Sequence, residues 1–304
     1  MNRYDRKYRR IARAISPMDL MANFSQEDLS WDDLFGSTAP SNTSNLFLGK
    51  YSRDGIKFII DRFGLDKHAR HKGLRKLDVA IDTKDPFRHK LTVYYDGQKD
   101  RDHIIMDFVA RYQQLTPREE DSEFLYPQSL NVLMIEWLLL QNPKGRFTHR
   151  KSRLPGQEYP GLGLGDELMA LFTLMGRNLQ VEGIVNVPEH FHTGLLFSKR
   201  FLFLSPHMQA QVTQVAHDLW KKYRLSMIAW AGATNAIIHQ ESGEPFEWQP
   251  RKQIIPLQSQ LRQYFKSDLY QDIASDLSKS AIYGIDEIKL KQALEDMENP
   301  PFKI

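Results

Sequence analysis

The chain contains no cysteine. Disulfides, iron–sulfur clusters, thiolate zinc sites and a cysteine nucleophile are therefore excluded. Long apolar runs are also missing. The longest stretch free of Asp, Glu, Lys, Arg and His, Leu225 to Ile238, has 14 residues and includes Ser226, Gly232, Thr234 and Asn235. Roughly 18 apolar residues are needed to span a bilayer. The N-terminus is basic but lacks the apolar centre of a secretion signal. There is no G-x-S-x-G elbow, no P-loop lysine motif and no paired-carboxylate spacing typical of a metal hydrolase. What remains is ample apolar material, 41% of 304 residues against 26% charged. That is enough for one large domain or two modest ones. A soluble cytoplasmic protein without a transmembrane segment is the expectation.

The net charge of +3 is unevenly spread. Residues 1–13 carry six arginines and lysines against Asp5, leaving the other 291 residues at −2. An acidic run follows: Asp19, Glu27, Asp28, Asp32 and Asp33. The basic head fits nucleic-acid or anionic-surface binding. It fits equally an arm that pairs with the acidic run. No zinc-finger spacing or aromatic RNA-binding signature accompanies it, so nucleic acid is the weaker reading. Gly36 to Asn45, GSTAPSNTSN, cannot bury apolar surface and reads as a linker. Residues 1–45 thus form an arm, 46–256 a main domain and 257–304 a helical extension.

Periodicity organises the rest. Ile56, Ile59, Ile60 and Phe63 predict a helix from Arg53 to Arg70. Strands are predicted at Leu77–Asp82, at Leu91–Tyr95 up to the Asp96-Gly97 turn, and at Ile104–Tyr112. A fourth, Asn131–Gln141, is apolar on both faces and reads as central. After a proline- and glycine-rich connection, Leu168, Leu171, Phe172, Met175 and Leu179 mark a helix with one buried stripe. A strand at Gly183–Val187, a short helix at Phe191–Lys199 and a strand at Phe201–Leu204 follow. Another helix follows Pro206. A hairpin is predicted over Ala236–Leu257, turning at Glu241 to Glu244. Two closing helices follow, one carrying Leu261, Phe265, Leu269 and Ile273, the other capped by Asp286. The class is α+β: a mixed central sheet flanked by helices, with strands four and five joined by a crossover helix.

The crossover helix begins at Gly161-Leu162-Gly163-Leu164-Gly165. Glycines there let a backbone approach a ligand, and the free N–H groups of a helix start suit phosphate. The same residues also fit an ordinary turn, with Asp166 and Glu167 favouring the helix dipole and repelling a phosphate that faced them. A dinucleotide fold is disfavoured, because its glycines follow the strand at once; here some 20 residues follow Gln141 first.

On these residues the chain resembles the GNAT superfamily of N-acetyltransferases. Gly163-Leu164-Gly165-Asp166-Glu167-Leu168-Met169 is similar to the family's G-x-G-x-x-L-L loop, Gly183 to Val187 to its fifth strand, and His190 to Leu202 to the following helix. The resemblance covers roughly 50–205 and implies a GNAT-like fold. It also implies an acyltransferase that moves an acyl group from acetyl-CoA or a longer acyl-CoA to an amine acceptor. Backbone groups of Leu139, Leu140 and Gln141 would pair with the pantetheine arm. The segment from Gly161 through Leu162, Gly163 and Leu164 to Gly165 would hold the diphosphate. An acyl carrier protein is an alternative donor, docking on Lys50 to Lys76, which holds nine Lys or Arg against three Asp. The chain departs from the family at Pro160, where Arg or Gln is usual, and at Phe197, where tyrosine is common. Phe201 stands near a family glycine, and the loop after strand four is about a dozen residues longer than usual.

Glu136 lies among Leu130, Val132, Met134, Leu138 and Leu140 on one face of strand four. A desolvated carboxylate there would serve as base; an ion pair with a basic residue is the other reading. Asn186 would bind an acyl carbonyl or cap a turn. Ser198 is the hydroxyl nearest the missing tyrosine and would protonate the leaving thiolate. His190 and His192 are further base candidates, without an evident third ligand for a metal. Trp230, Trp248, Tyr223 and Tyr264 would floor an acceptor pocket or pack in a core. Two rival functions stay open: a CoA-binding module of the same fold without turnover, and a nucleic-acid- or membrane-associated protein led by the basic arm.

Overall fold

A computed structural model describes residues 45–278, 282–298 and 300–302. The basic head, the acidic run and all but the end of the linker lie outside the described residues. In chain order the first elements are α1 (Arg53–Arg62), α2 (Leu65–His71), β1 (Asp78–Asp82), β2 (His89–Tyr94) and β3 (Ile104–Leu115). Then come α3 (Pro117–Glu120), β4 (Leu130–Leu140), α4 (Gly165–Asn178), β5 (Gly183–Asn186) and α5 (Phe191–Phe197). The remainder are β6 (Leu202–Phe203), α6 (Pro206–Leu219), α7 (Leu225–Ala233), β7 (Ile237–His239) and β8 (Gln253–Pro256). Last are α8 (Ser259–Tyr264), α9 (Asp268–Ser278), β9 (Tyr283–Ile285) and α10 (Glu287–Glu295). The class is α+β, with a mostly antiparallel seven-stranded sheet ordered β1-β2-β3-β4-β5-β8-β6 and a separate pair, β7-β9.

Two compact units divide the chain. The first comprises the described residues up to Gln113, with Leu133–Arg146 and Tyr159–Val181. The second comprises Gln114–Val132, Phe147–Glu158 and the described residues from Glu182 onward.

In the first unit, Ser52 caps α1 by accepting the Gly55 N–H at 3.0 Å, and Ile56, Ile59 and Ile60 are buried. The single helix predicted over 53–70 is broken. Gly64 adopts φ +75, a left-handed geometry that ends a helix and costs glycine little. Helix α2 restarts at once. Strands β1 and β2 pair antiparallel with Asp78 opposite Tyr94, and β2 pairs with β3 with Leu91 opposite Phe108. The predicted turn has both Asp96 and Gly97 at positive φ. Leu168, Phe172 and Met175 of α4 are buried. Phe172 stacks on Phe108 of β3 with centroids 4.7 Å apart.

In the second unit, β8 lies between β5 and β6, antiparallel to both, with Asn186 opposite Gln253 and Leu202 opposite Ile254. This corrects the predicted hairpin over 236–257. The turn at Glu241 to Glu244 does form, with the His239 N–H reaching Glu244 O at 2.8 Å. The return arm ends at Phe246, however, and β7 pairs instead with β9. Strand β9 also corrects the expectation of a purely helical extension. The predicted helix through Leu261 and Ile273 is split into α8 and α9, and Leu269 is half exposed. The core gathers Val212, Val215 and Leu219 of α6 with Ile228, Ile237 and Leu290. Among the described residues, no helix is long and apolar enough to cross a membrane.

Candidate functional site

The glycine segment leads into α4 with a strict alternation of burial. Leu162 and Leu164 are buried, whereas Gly163 and Gly165 are exposed. The leucines anchor the segment over an apolar cavity of about 30 Å³ shared with Leu65, Ala69, Leu140 and Leu168. The glycines turn outward. Gly163 sits at φ +77, and a Cβ at Gly163 or Gly165 would meet no atom within 4 Å. Helix α4 starts behind Leu164 with no side-chain cap, so its first N–H groups are not met by a capping side chain. Helix α2 lies beside the segment, its His68 Nε2 2.9 Å from Leu162 O. Asp166 and Glu167 occupy the first turn, Asp166 exposed and Glu167 partly so.

The chain itself uses part of the strand edge that the resemblance assigns to pantetheine. Gln141 forms an antiparallel bridge with Gly161, and Asn142 N–H donates to Pro160 O at 2.7 Å. On its other side the Gln141 N–H donates to Ile105 O at 2.9 Å, and its Nε2 to Ile104 O at 3.0 Å. The Gln141 backbone N–H is thus engaged within the sheet. Leu139 and Leu140 are partly exposed.

Glu136 is not desolvated. Strand β4 is buried from Val132 to Ile135 and opens to solvent from Glu136 onward. The Glu136 carboxylate is bridged by two guanidinium groups, Arg88 Nε to Oε2 at 2.5 Å and Arg111 Nε to Oε1 at 2.6 Å. Alternation along β4 placed Glu136 among leucines. Only the fold brings Arg111 of β3 and Arg88, just ahead of β2, to flank it.

In the second unit, Asn186 ends β5 and is buried at 5% exposure. Opposite it, Gln253 of β8 is fully buried, and its Nε2 donates to Gly194 O at 3.0 Å and to Ser198 Oγ at 3.4 Å. Ser198 Oγ in turn donates to Gly194 O at 2.7 Å. Its proton is committed to its own helix. Among the described residues, Asn186 Oδ1, Gln253 Oε1 and His192 Nδ1 are buried without a hydrogen-bond partner, an uncommon state for interior polar atoms. Two amide oxygens so placed can each accept one N–H or O–H. Gln253 escaped sequence reading because nothing local marks it; only the β5–β8 register brings it to Asn186.

His192 is buried, and that burial, with the neighbouring His190 ring, pushes its imidazole down to about 4. The two rings stack 5.4 Å apart. His192 is thus neutral at pH 7. No cluster of three metal-ligating side chains occurs among the described residues. Trp230 and Trp248 spend their indole N–H groups on Arg153 O at 2.8 Å and Glu189 O at 2.9 Å. Trp248 packs edge-on against Phe191, and Tyr264 against Phe124 and Phe265. Tyr223 packs against the α6 core. These aromatics build structure. No family model matches this chain, and no curated protein does.

Proposed function

We propose that the chain binds an acyl thioester of coenzyme A and transfers the acyl group to an amine, as its resemblance to the GNAT superfamily implies. The observation that carries this reading is the glycine segment. Buried leucines fix its position, outward glycines leave room above it, and an uncapped helix of 14 residues begins directly behind it. N–H groups at such a start attract a diphosphate. The crossover from β4 through α4 to β5, neighbours in the sheet order, supports the same reading. Asn186 with Gln253 offers buried acceptors for an N–H group.

A second reading is favoured by specific contacts. Glu136 is clamped by Arg88 and Arg111, and the Ser198 proton is given to Gly194 O. With its base and acid candidates engaged, the chain would be a coenzyme A-binding module. One experiment separates the readings. Coenzyme A at a hundredfold excess over its dissociation constant should stabilise the protein by about 2.7 kcal/mol in either case. Release of free thiol from acetyl-CoA or octanoyl-CoA with a panel of amines marks the enzyme; stabilisation without release marks the module. Absence of stabilisation refutes both.

A further inference from the structure

The second unit contains a polar cavity of about 320 Å³ that none of these roles uses. Its size suits a small molecule. Three segments line it: residues 121–123 after α3, the start of α6 and its cap Ser205, and residues 247–251 ahead of β8.

Part of its charge is already neutralised. Glu123 accepts the Ser205 hydroxyl and, at 2.9 Å, the His207 ring. Burial raises its carboxyl, but those hydrogen bonds outweigh it and hold the group below the usual range. Lys252, beside the cavity, pairs with Glu120. Three charges then remain on the wall: the carboxylates of Asp121 and Glu247 and the guanidinium of Arg251. Among the described residues, Asp121 Oδ1 accepts only the Glu123 N–H, at 3.0 Å, and Arg251 Nη2 reaches only Gln249 Oε1, at 3.4 Å. None of the three has an ion-pair partner among the described residues. Charges of both signs therefore face one polar space without meeting each other. A neutral or singly charged guest would satisfy one sign and leave the other uncompensated. A guest carrying both signs satisfies each.

We propose that this cavity binds a zwitterionic amine, an α-amino acid, with its carboxylate on Arg251 and its ammonium between Asp121 and Glu247. The guanidinium fork matches a carboxylate through two parallel hydrogen bonds. Gln211 and Gln249 add amide groups for the rest of the guest. The amine nitrogen would make this guest the acceptor of acyl transfer. That role rests on the proposed function; binding does not.

The test is calorimetry on the full chain with the twenty common α-amino acids, one at a time and without any acyl donor. At least one should bind. Its N-acetyl derivative, which lacks the ammonium, and its amide, which lacks the carboxylate, should each bind at least tenfold more weakly. Arg251→Gln should weaken the parent amino acid about tenfold yet leave the amide unchanged, and Glu247→Gln should do the same with the N-acetyl derivative as the indifferent guest. Both side chains are exposed, so the variants should fold, which their melting curves will show. No binding at about 10 mM, or wild-type binding by both variants, overturns the proposal. If an amino acid binds but releases no thiol once acetyl-CoA is added, turnover is refuted and the cavity's assignment stands.

Discussion

At the scale of single residues, the glycine pair Gly163 and Gly165 comes first and Glu136 second in deciding the acyltransferase reading. Gly163 and Gly165 both have open space where a Cβ would stand, but only Gly163 has positive φ. A branched side chain at Gly163 would strain the backbone as well as fill the space. Gly165→Val is therefore the cleaner probe. It should leave unliganded stability within about 1 kcal/mol and abolish the melting shift given by coenzyme A. A wild-type shift in the variant would reduce the segment to a turn. Glu136 is the second position. Its two arginine contacts are partly exposed, and such pairs contribute about 0–1 kcal/mol. Glu136→Gln should change the melting point little and, as an ion-pair partner, change turnover by less than about threefold. A rate loss of about 10²–10⁴ is the signature of a lost general base and would return Glu136 to the mechanism. Measuring both quantities on one variant separates the roles.

Elements were legible where the pattern was long and local. The stripe from Leu168 to Leu179 predicts α4, the cap at Asp286 predicts α10, and the alternation of Leu91 and Val93 predicts β2; each stands within a few residues of its expected span. What could not be read was pairing between distant segments. The run 253–256 looks like the return arm of the turn at Gly243, yet it inserts between β5 and β6. Its partners are fixed by packing of the whole sheet, which no local period encodes. Strand β9 has three residues and no alternation long enough to register. The site divides the same way: the glycine segment is visible in sequence, whereas Gln253 and the arginines around Glu136 come from distant segments. The break at Gly64 is masked in the sequence because Ile56 to Phe63 keeps a helical period right up to it. Gly64 has positive φ and open space where a Cβ would stand, so Gly64→Ala should cost about 1 kcal/mol for conformational reasons alone. Denaturant unfolding of the variant measures this directly. An unchanged or higher midpoint would mean that the turn tolerates a right-handed geometry and that α1 and α2 can merge as the period predicts.

For the molecule as a whole, buried titratable groups set how stability depends on pH. His192 has an ordinary imidazole value of 6.5 when unfolded and about 4 when folded, because burial disfavours its charged form. The unfolded chain therefore takes up this proton first as pH falls. The stabilising difference is complete above about pH 6.5, declines below it, and is lost by about pH 4. A displacement of that size is worth about 3 kcal/mol, a large share of the roughly 5–15 kcal/mol that holds a domain folded. His89 acts in the same direction: burial lowers its imidazole, and its Nδ1 accepts the Leu48 N–H at 2.7 Å. Carboxylates act in a lower window. At Asp78, burial alone would raise the carboxyl, but Arg53 at 2.6 Å and Lys99 at 3.2 Å hold it well below the ordinary range. Its contribution is present above the ordinary carboxylate range and disappears only as pH falls through the lowered value. Acidification should therefore act in two stages, histidines between about pH 6.5 and 4 and carboxylates below that. Unfolding free energies measured by denaturant titration at intervals from pH 7.5 to 4 test the first stage. His192→Leu, which keeps the side chain apolar and similar in bulk, should lose distinctly less stability than wild type over that interval, with the His89 share remaining. Parallel pH profiles for the two proteins would show that His192 protonates as readily in the folded chain as in the unfolded one, and would remove burial of its ring from the account.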